Sequence, residues 1–236
     1  MVIPLVVGKN SNAEDQQIDL SDIALLMISF YDELSIKEIF HQLYKTDYPH
    51  KSINYLIAST RRLKEWQINN DIGMVYLRDE PELGNISTRK KLFKKVTDEI
   101  ERRERILKSR KIKDFKRYIS LNLWNDEKLT YQFLLVDDIW DIVTAKPKSL
   151  GIALIRILLY GPAVGIHTII ASAISYRNLL QQLVNINPTI TAELQLKYGI
   201  PEPKQIGTIG SELIFSPEGL IFYRHAGSFN LEKYYP

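Results

Sequence analysis

The sequence predicts an α/β domain, a mostly parallel sheet with helices on both faces. Short apolar runs of strand length alternate with segments of helical period, and the helices between strands run to ten residues or more, as parallel crossovers require. The chain has 236 residues, 45% of them hydrophobic and 25% charged, the size and balance of one large globular domain. No internal repeat or low-complexity linker divides it. One domain over 1–236 is therefore expected, with residues 1–22 as a β-rich lead-in and 23–236 as a core that closes on a C-terminal hairpin.

The elements follow in order. Ile3–Val7 is an apolar run that predicts a strand, and the turn-rich GKNSNAED follows it. Ala24–Ser29 (ALLMIS) predicts a buried strand. Glu33–Lys45 carries Leu34, Ile36, Ile39, Phe40 and Leu43 at helical spacing. Ile53–Ala58 and the short Met74–Leu77 predict strands. Thr88 to about Ser109 predicts a long charged helix, extended by a second one to Leu121. Phe133–Val136 predicts a strand, Leu150–Tyr160 a helix and His167–Ser172 a strand. Asn178–Val184 predicts a helix and Thr189–Leu194 a strand. ELIF and LIFYR predict a hairpin around Pro217-Glu218-Gly219.

Composition narrows the chemistry. With no cysteine, disulfides and thiolate metal sites are excluded. Four histidines, scattered at 41, 50, 167 and 225, indicate no metal cluster. No apolar run approaches the roughly 18–20 residues of a membrane span, and the N-terminus lacks the pattern of a secretory leader. A cytoplasmic protein without membrane insertion is the expectation. The net charge of +3 hides an asymmetry: residues 89–117 hold 14 Lys/Arg against 5 Asp/Glu, a local net of +9 that leaves −6 for the rest.

Several segments carry a family likeness. The segment 161-GPAVGIHTIIASA-173 resembles the RAxGIHLIxATQ segment of FtsK/SpoIIIE-type DNA translocase motors, and LLVDDIWDI resembles their VVIDELADL strand. TDEIERRERILKSRKIKDFKRY is similar to their EMERR helix, NINPTITAEL to KANIPTRIAF, IGSELIFSPEG to LGxGDMLYxPPG, and IPLVVGKNSNAEDQQIDLS to their lead-in. The matches span nearly the whole chain in the family's order. The resemblance implies a RecA-like three-layer ATPase domain, a ring of subunits around double-stranded DNA, and ATP-driven translocation. Related degenerate modules occur in type VII secretion ATPases.

The residues themselves then decide how much chemistry remains. A phosphate loop needs glycines so that backbone N–H groups can wrap the phosphates, a Lys for the β/γ oxygens, and a hydroxyl for Mg²⁺. The family's LLIAGTTGSGKS aligns with 25-LLMISFYDELSI-36, which puts Ser29, Asp32 and Leu34 at the three glycines, Ser35 at the Lys and Ile36 at the Mg²⁺ hydroxyl. No Gly-Lys-Ser/Thr occurs elsewhere; the Lys-Ser pairs at 51, 108 and 148 lack the glycine. Asp32 and Glu33 would face a triphosphate's own charges, each such pair costing about 1 kcal/mol in water and about 4 at an effective dielectric of 20. Asp32 has a structural alternative as the N-cap of the helix that follows.

At the end of the acidic strand, the resemblance would give Asp137 to Mg²⁺ and put Asp138 in place of the Glu that activates water. Asp is one methylene short for that task, and without a phosphate loop both acids are expected to be relics. Ala173 and Ile190 stand where the family has a Gln sensor and an Arg, and Ile57–Thr60 where it has VDPK. His167 matches the family's GIH and is expected to be a satisfied structural histidine.

The basic segment has three readings: a solvated helix laced with i,i+4 pairs such as Asp98–Arg102 and Glu101–Arg105, a nucleic-acid surface, or a docking face for an acidic partner. The surface candidates are Lys90, Lys91, Lys94, Lys95, Arg102, Arg103, Arg110 and Lys113. The sequence thus predicts a catalytically inactive FtsK/SpoIIIE-like module without metal or cofactor, acting in DNA binding or in assembly with itself or an active paralogue. The alternatives are an active ATP-driven double-stranded DNA translocase, with ATP and Mg²⁺, and a scaffold in a secretion or mobile-element machine.

Overall fold

The computed structural model describes residues 3–23, 25–29, 53–58, 86–121, 129–137, 149–172, 210–215, 221–224 and 232–234. The expected helices at 33–45 and 178–184 and strands at 74–77 and 189–194 lie outside them. The described elements are β1 (Pro4–Lys9), β2 (Asp15–Asp19), β3 (Leu25–Ser29), β4 (Ile53–Ala58), α1 (Ile86–Ser109), α2 (Phe115–Ser120), β5 (Tyr131–Asp137), α3 (Ser149–Tyr160), a 3₁₀ turn (Pro162–Val164), β6 (Ile166–Ser172), β7 (Gly210–Phe215), β8 (Ile221–Arg224) and β9 (Glu232–Tyr234).

Seven strands form one sheet in the order β4-β5-β6-β3-β7-β8-β9. The first five run parallel; β8 and β9 add antiparallel, β8 closing the expected hairpin on β7. Consecutive residues Leu25–Ile28, Phe133–Val136 and Ile166–Ile170 are all buried, so both faces of the central strands are covered. That explains why these strands are apolar without alternation.

The lead-in is a hairpin. β1 pairs antiparallel with β2, with a bulge between Val6 and Gly8. Its turn is held by Asn10, whose Oδ1 accepts from the N–H groups of Asn12 and Glu14. Ile3, Leu5, Val7, Ile18 and Leu20 are buried in the same core as the sheet, and Asp19 Oδ1 accepts from the N–H of Ile3 and of Ser21.

α1 buries Leu92, Phe93, Val96, Ile100, Arg103 and Leu107, one stripe at helical spacing, and contacts α3. It ends in a Schellman arrangement: the Ile112 N–H donates to the Leu107 carbonyl and the Lys111 N–H to the Lys108 carbonyl. Lys111 therefore sits at φ +56°, the left-handed position that glycine usually fills. Asp114 then caps α2 by accepting from the Arg117 N–H.

Two glycines between α3 and β6 are dictated by close approach. A Cβ on Gly161 would lie 2.5 Å from the carbonyl oxygens of Ile157 and Ile166. Gly165 has φ +77°, and a Cβ there would meet the Phe115 ring at 2.2 Å. The GPAVG sequence is thus the corner that lets β6 start beneath α2.

Candidate functional site: two opposite edges of the sheet

Strand order locates the first candidate. β3 lies between β6 and β7, while the next strand in the chain, β4, lies at the far edge beyond β6 and β5. At such a reversal the carboxyl ends of the parallel strands leave a crevice, where α/β sheets bind ligands. β3 ends there at Ser29, β5 at Asp137 and β6 at Ser172. Register sets the spacing: Asp137 is level with Ala171, and Ala171 with Ile28. Two strand spacings, about 10 Å, therefore separate Asp137 from the end of β3. Asp137 thus stands at the same edge of the sheet as the end of β3. Of the other residues assigned to this site, Asp32, Glu33, Leu34, Ser35, Ile36 and Asp138 lie outside the described residues, as do Ala173 and Ile190.

The basic helix is the second candidate, and its Arg103 lies at the other end of the strands. Arg103 meets Thr130, which precedes β5, and Val164, which precedes β6, both on the amino edge. The seven residues of β5 put about 20 Å between this edge and Asp137. Arg103 is therefore on the wrong edge to neutralise phosphates after β3.

Arg103 corrects the sequence reading. It belongs with the surface cations by charge, but it is 1% exposed. Its Nε donates to Glu99 Oε1 at 2.7 Å, and its Nη1 donates to the carbonyls of Thr130 at 2.8 Å and Val164 at 3.0 Å. The guanidinium also sits 5.6 Å from the centroid of the Phe115 ring, which meets Tyr131 edge-on at 4.8 Å. Arg103 is a structural joint of α1, α2, β5 and β6. Burial pulls its pKa down, and Glu99 opposes that; a guanidinium stays charged regardless. Burial would raise the Glu99 carboxyl, but bonds from Arg102 and Arg103 outweigh it and hold the group below its ordinary value. The signal was present: Phe93, Val96, Ile100, 103 and Leu107 step by three and four, so position 103 falls on the buried stripe.

The other surface candidates divide into two poles. Lys90, Lys91, Lys94 and Lys95 are exposed on the first turns of α1. Asp98, Glu101 and Glu104 then form an exposed acidic belt. Ion pairing differs from the expected i,i+4 pairs: Lys94 pairs with Asp98 at 3.1 Å, and Arg102 makes two bonds to Glu99, at 2.7 and 2.8 Å. Arg105 Nε reaches the Glu101 carbonyl rather than its carboxylate. Past the belt, Lys108, Lys111, Lys113, Lys116 and Arg117 are exposed, and Arg110 covers the Tyr118 ring at 6.0 Å. Lys95 and Lys108 are about 20 Å apart along the axis, beyond the screening length of about 8 Å at physiological salt. The two poles act independently.

His167 takes the structural role. It is buried, its Nδ1 bonds the Ile23 carbonyl at 2.7 Å, and its ring lies 5.6 Å from those of Tyr131 and Phe133. Burial lowers its pKa more than that bond raises it, so the neutral Nδ1–H tautomer ties β6 to the chain entering β3.

Comparison with known proteins agrees with the fold. No family model matches the chain. It is 23% identical over 192 residues to the DNA translocase FtsK of Treponema pallidum, covering 79% of this chain and 24% of that protein. Among solved structures it is similar to the cytoplasmic domain of the type VII secretion ATPase EccC of Thermomonospora curvata, with a TM-score of 0.66, 12% identity, and 99% of this chain against 28% of that one. The pCW3 conjugation coupling protein TcpA, solved with ATPγS, gives 0.61, 15%, and 99% against 65%. EssC of Geobacillus thermodenitrificans gives 0.60, 14%, and 99% against 44%. The chain spans about a quarter of the FtsK it matches. The fold is that of a RecA-like P-loop ATPase domain, and the likeness to FtsK/SpoIIIE-type motors read from the motifs stands. Among the described residues no helix is long and apolar enough to cross a membrane.

Proposed function

From an FtsK/SpoIIIE-type ATPase fold, we propose that this chain has given up nucleotide hydrolysis and works by binding, either to double-stranded DNA or within an assembly of copies or an active paralogue. One observation carries the proposal. The strand that should deliver the phosphate loop, β3, runs into SFYDELSI, which offers neither glycine nor lysine and places Asp32 and Glu33 along the loop. Asp137 stays at the sheet's carboxyl edge, but a carboxylate there has no partner chemistry unless a triphosphate brings the metal. Arg103 does not compensate, being buried at the opposite edge.

Titration calorimetry with Mg-ATP tests this. We expect no saturable binding at micromolar nucleotide and no difference between the native chain and Asp137→Asn. Saturable binding abolished by Asp137→Asn would overturn the proposal in favour of an active translocase with an unorthodox site. That second reading has one observation in its favour, the preserved register of Asp137 against β6 and β3.

A further inference from the structure

We propose that the corner between α1 and α2 is a binding surface for the phosphate backbone of a duplex nucleic acid, centred on Lys108, Lys111, Lys113 and Arg117 and independent of base sequence. It deepens the binding half of the function proposed above and needs nothing from the nucleotide edge.

Charge comes first. Residues 105–117 carry seven Lys/Arg and one acid, Asp114, whose carboxylate is occupied in capping α2. Lys116 pairs with Asp22, whereas Lys108, Lys111, Lys113 and Arg117 form no side-chain ion pair among the described residues. In the N-terminal pole, by contrast, Lys94 is paired with Asp98.

Backbone conformation is a second, independent observation. Lys111 occupies a left-handed position at φ +56°, where glycine would be the less strained choice. A lysine there gives up stability, and strain of this kind gathers at sites where a side chain is needed. The corner is also rigid: Phe115 and Tyr118 are buried and stacked beneath it at 5.8 Å, and Arg103 pins the helix to both strands. Four cations are thus presented without a backbone ordering cost.

Surface chemistry selects the ligand. Among the described residues the aromatic rings of the corner, Phe115 and Tyr118, are buried and offer no platform on which unpaired bases could stack, which disfavours single strands. Its exposed groups are mainly lysines, which protein interfaces deplete in favour of aromatics and Arg. Hydrated ammonium groups arrayed on a fixed corner match a row of phosphates, whose neutralisation releases counterions.

The test is fluorescence anisotropy of a labelled 30-base-pair random duplex with the full chain, from 50 to 200 mM salt. With four phosphates engaged, log affinity should fall against log salt with a slope near −3.6, roughly a hundredfold loss over that range. Lys113→Glu/Arg117→Glu should weaken binding tenfold or more, and Lys90→Glu/Lys91→Glu less than twofold, with both variants checked for a native melting midpoint. Lys111→Gly should weaken binding while raising the melting temperature, a combination that loss of folding cannot produce. No salt-dependent binding, binding unaffected by the corner variant, or tighter binding to phosphatidylserine vesicles or polyglutamate than to duplex would each overturn the proposal. An ATP titration that contradicted the inactive site would leave these outcomes untouched.

Discussion

Replacing Arg103 with methionine removes a buried cation from a site where every other group has been arranged around it. Thr130 and Val164 would lose the donor to their carbonyls, and Glu99 would keep Arg102 but lose Arg103. Each buried polar group left without a partner costs about 1–3 kcal/mol. Methionine refills much of the volume and escapes the arginine's own desolvation, which returns part of that loss. Breaking a buried charged network from one side nevertheless costs about 3–5 kcal/mol. For a chain of 236 residues, at roughly 2–4 °C per kcal/mol, the melting temperature should drop by about 10 °C. Urea denaturation followed by circular dichroism measures the free energy directly. Arg103→Lys is the informative companion: it keeps the charge but cannot make the Nε bond to Glu99 and both carbonyl bonds from one planar fork, so it should fall between the two. A loss under about 1 kcal/mol for methionine would refute the reasoning and return Arg103 to the surface set.

Gly165→Ala should destabilise by about 2–4 kcal/mol, because left-handed backbone costs roughly 1–2 kcal/mol and the Phe115 ring in its way is fenced by Arg103 and Tyr131; chemical denaturation reads it. Lys111→Gly should stabilise by about 1 kcal/mol by relieving the strain at φ +56°. His167 has a folded pKa below its unfolded one, so the unfolded chain takes the proton first. Its stabilisation is complete above the unfolded value of about 6.5 and is lost as pH falls from there through the lower folded value; His167→Gln should flatten the stability profile below about pH 6.5. Asp19 and Glu99 are shifted below their ordinary values despite burial. Their stabilisation is present near neutrality and fails as pH falls through the carboxylate range, so Asp19→Asn should lower stability at pH 7 and not at pH 2.

The parallel core was legible because its strands carry dense apolar runs without clean alternation: Ile53–Ala58 is matched to the residue, and Leu25–Ser29 and Ile166–Ser172 to within one. β2 and β9 were not singled out, since DQQID and EKY have neither an apolar run nor a period long enough to read; hairpin pairing makes them strands, not their own composition. α1 was legible from its period, but the charge census that drew attention to it treated every cation alike. Charge alone cannot distinguish Arg103, on the buried stripe, from Lys94, which is 75% exposed. Of the nucleotide edge, the sequence placed Asp137 at a strand's end, and strand order then supplied what no sequence pattern holds, that β6 stands between this residue and β3.

The two edges of the sheet carry separate physical problems, and that separation is why loss of one activity need not remove the other. A RecA-like fold that binds nucleotide needs its carboxyl edge to accept a highly charged anion, a capacity proposed above to be lost in a chain that carries Asp32 and Glu33 after β3. Its amino edge is built around the opposite sign: Arg103 is locked inside, and Lys108, Lys111, Lys113 and Arg117 are displayed outside. At about 20 Å, with screening over about 8 Å, neither edge feels the other through solvent. Under the two proposals above, sequence drift at the phosphate loop would leave the basic corner intact. A double variant combining Asp137→Asn with Lys113→Glu/Arg117→Glu should show duplex affinity equal to that of the corner variant alone. Any coupling above about 0.5 kcal/mol in that cycle would mean that the edges communicate through the sheet and that the carboxyl edge retains a role in binding.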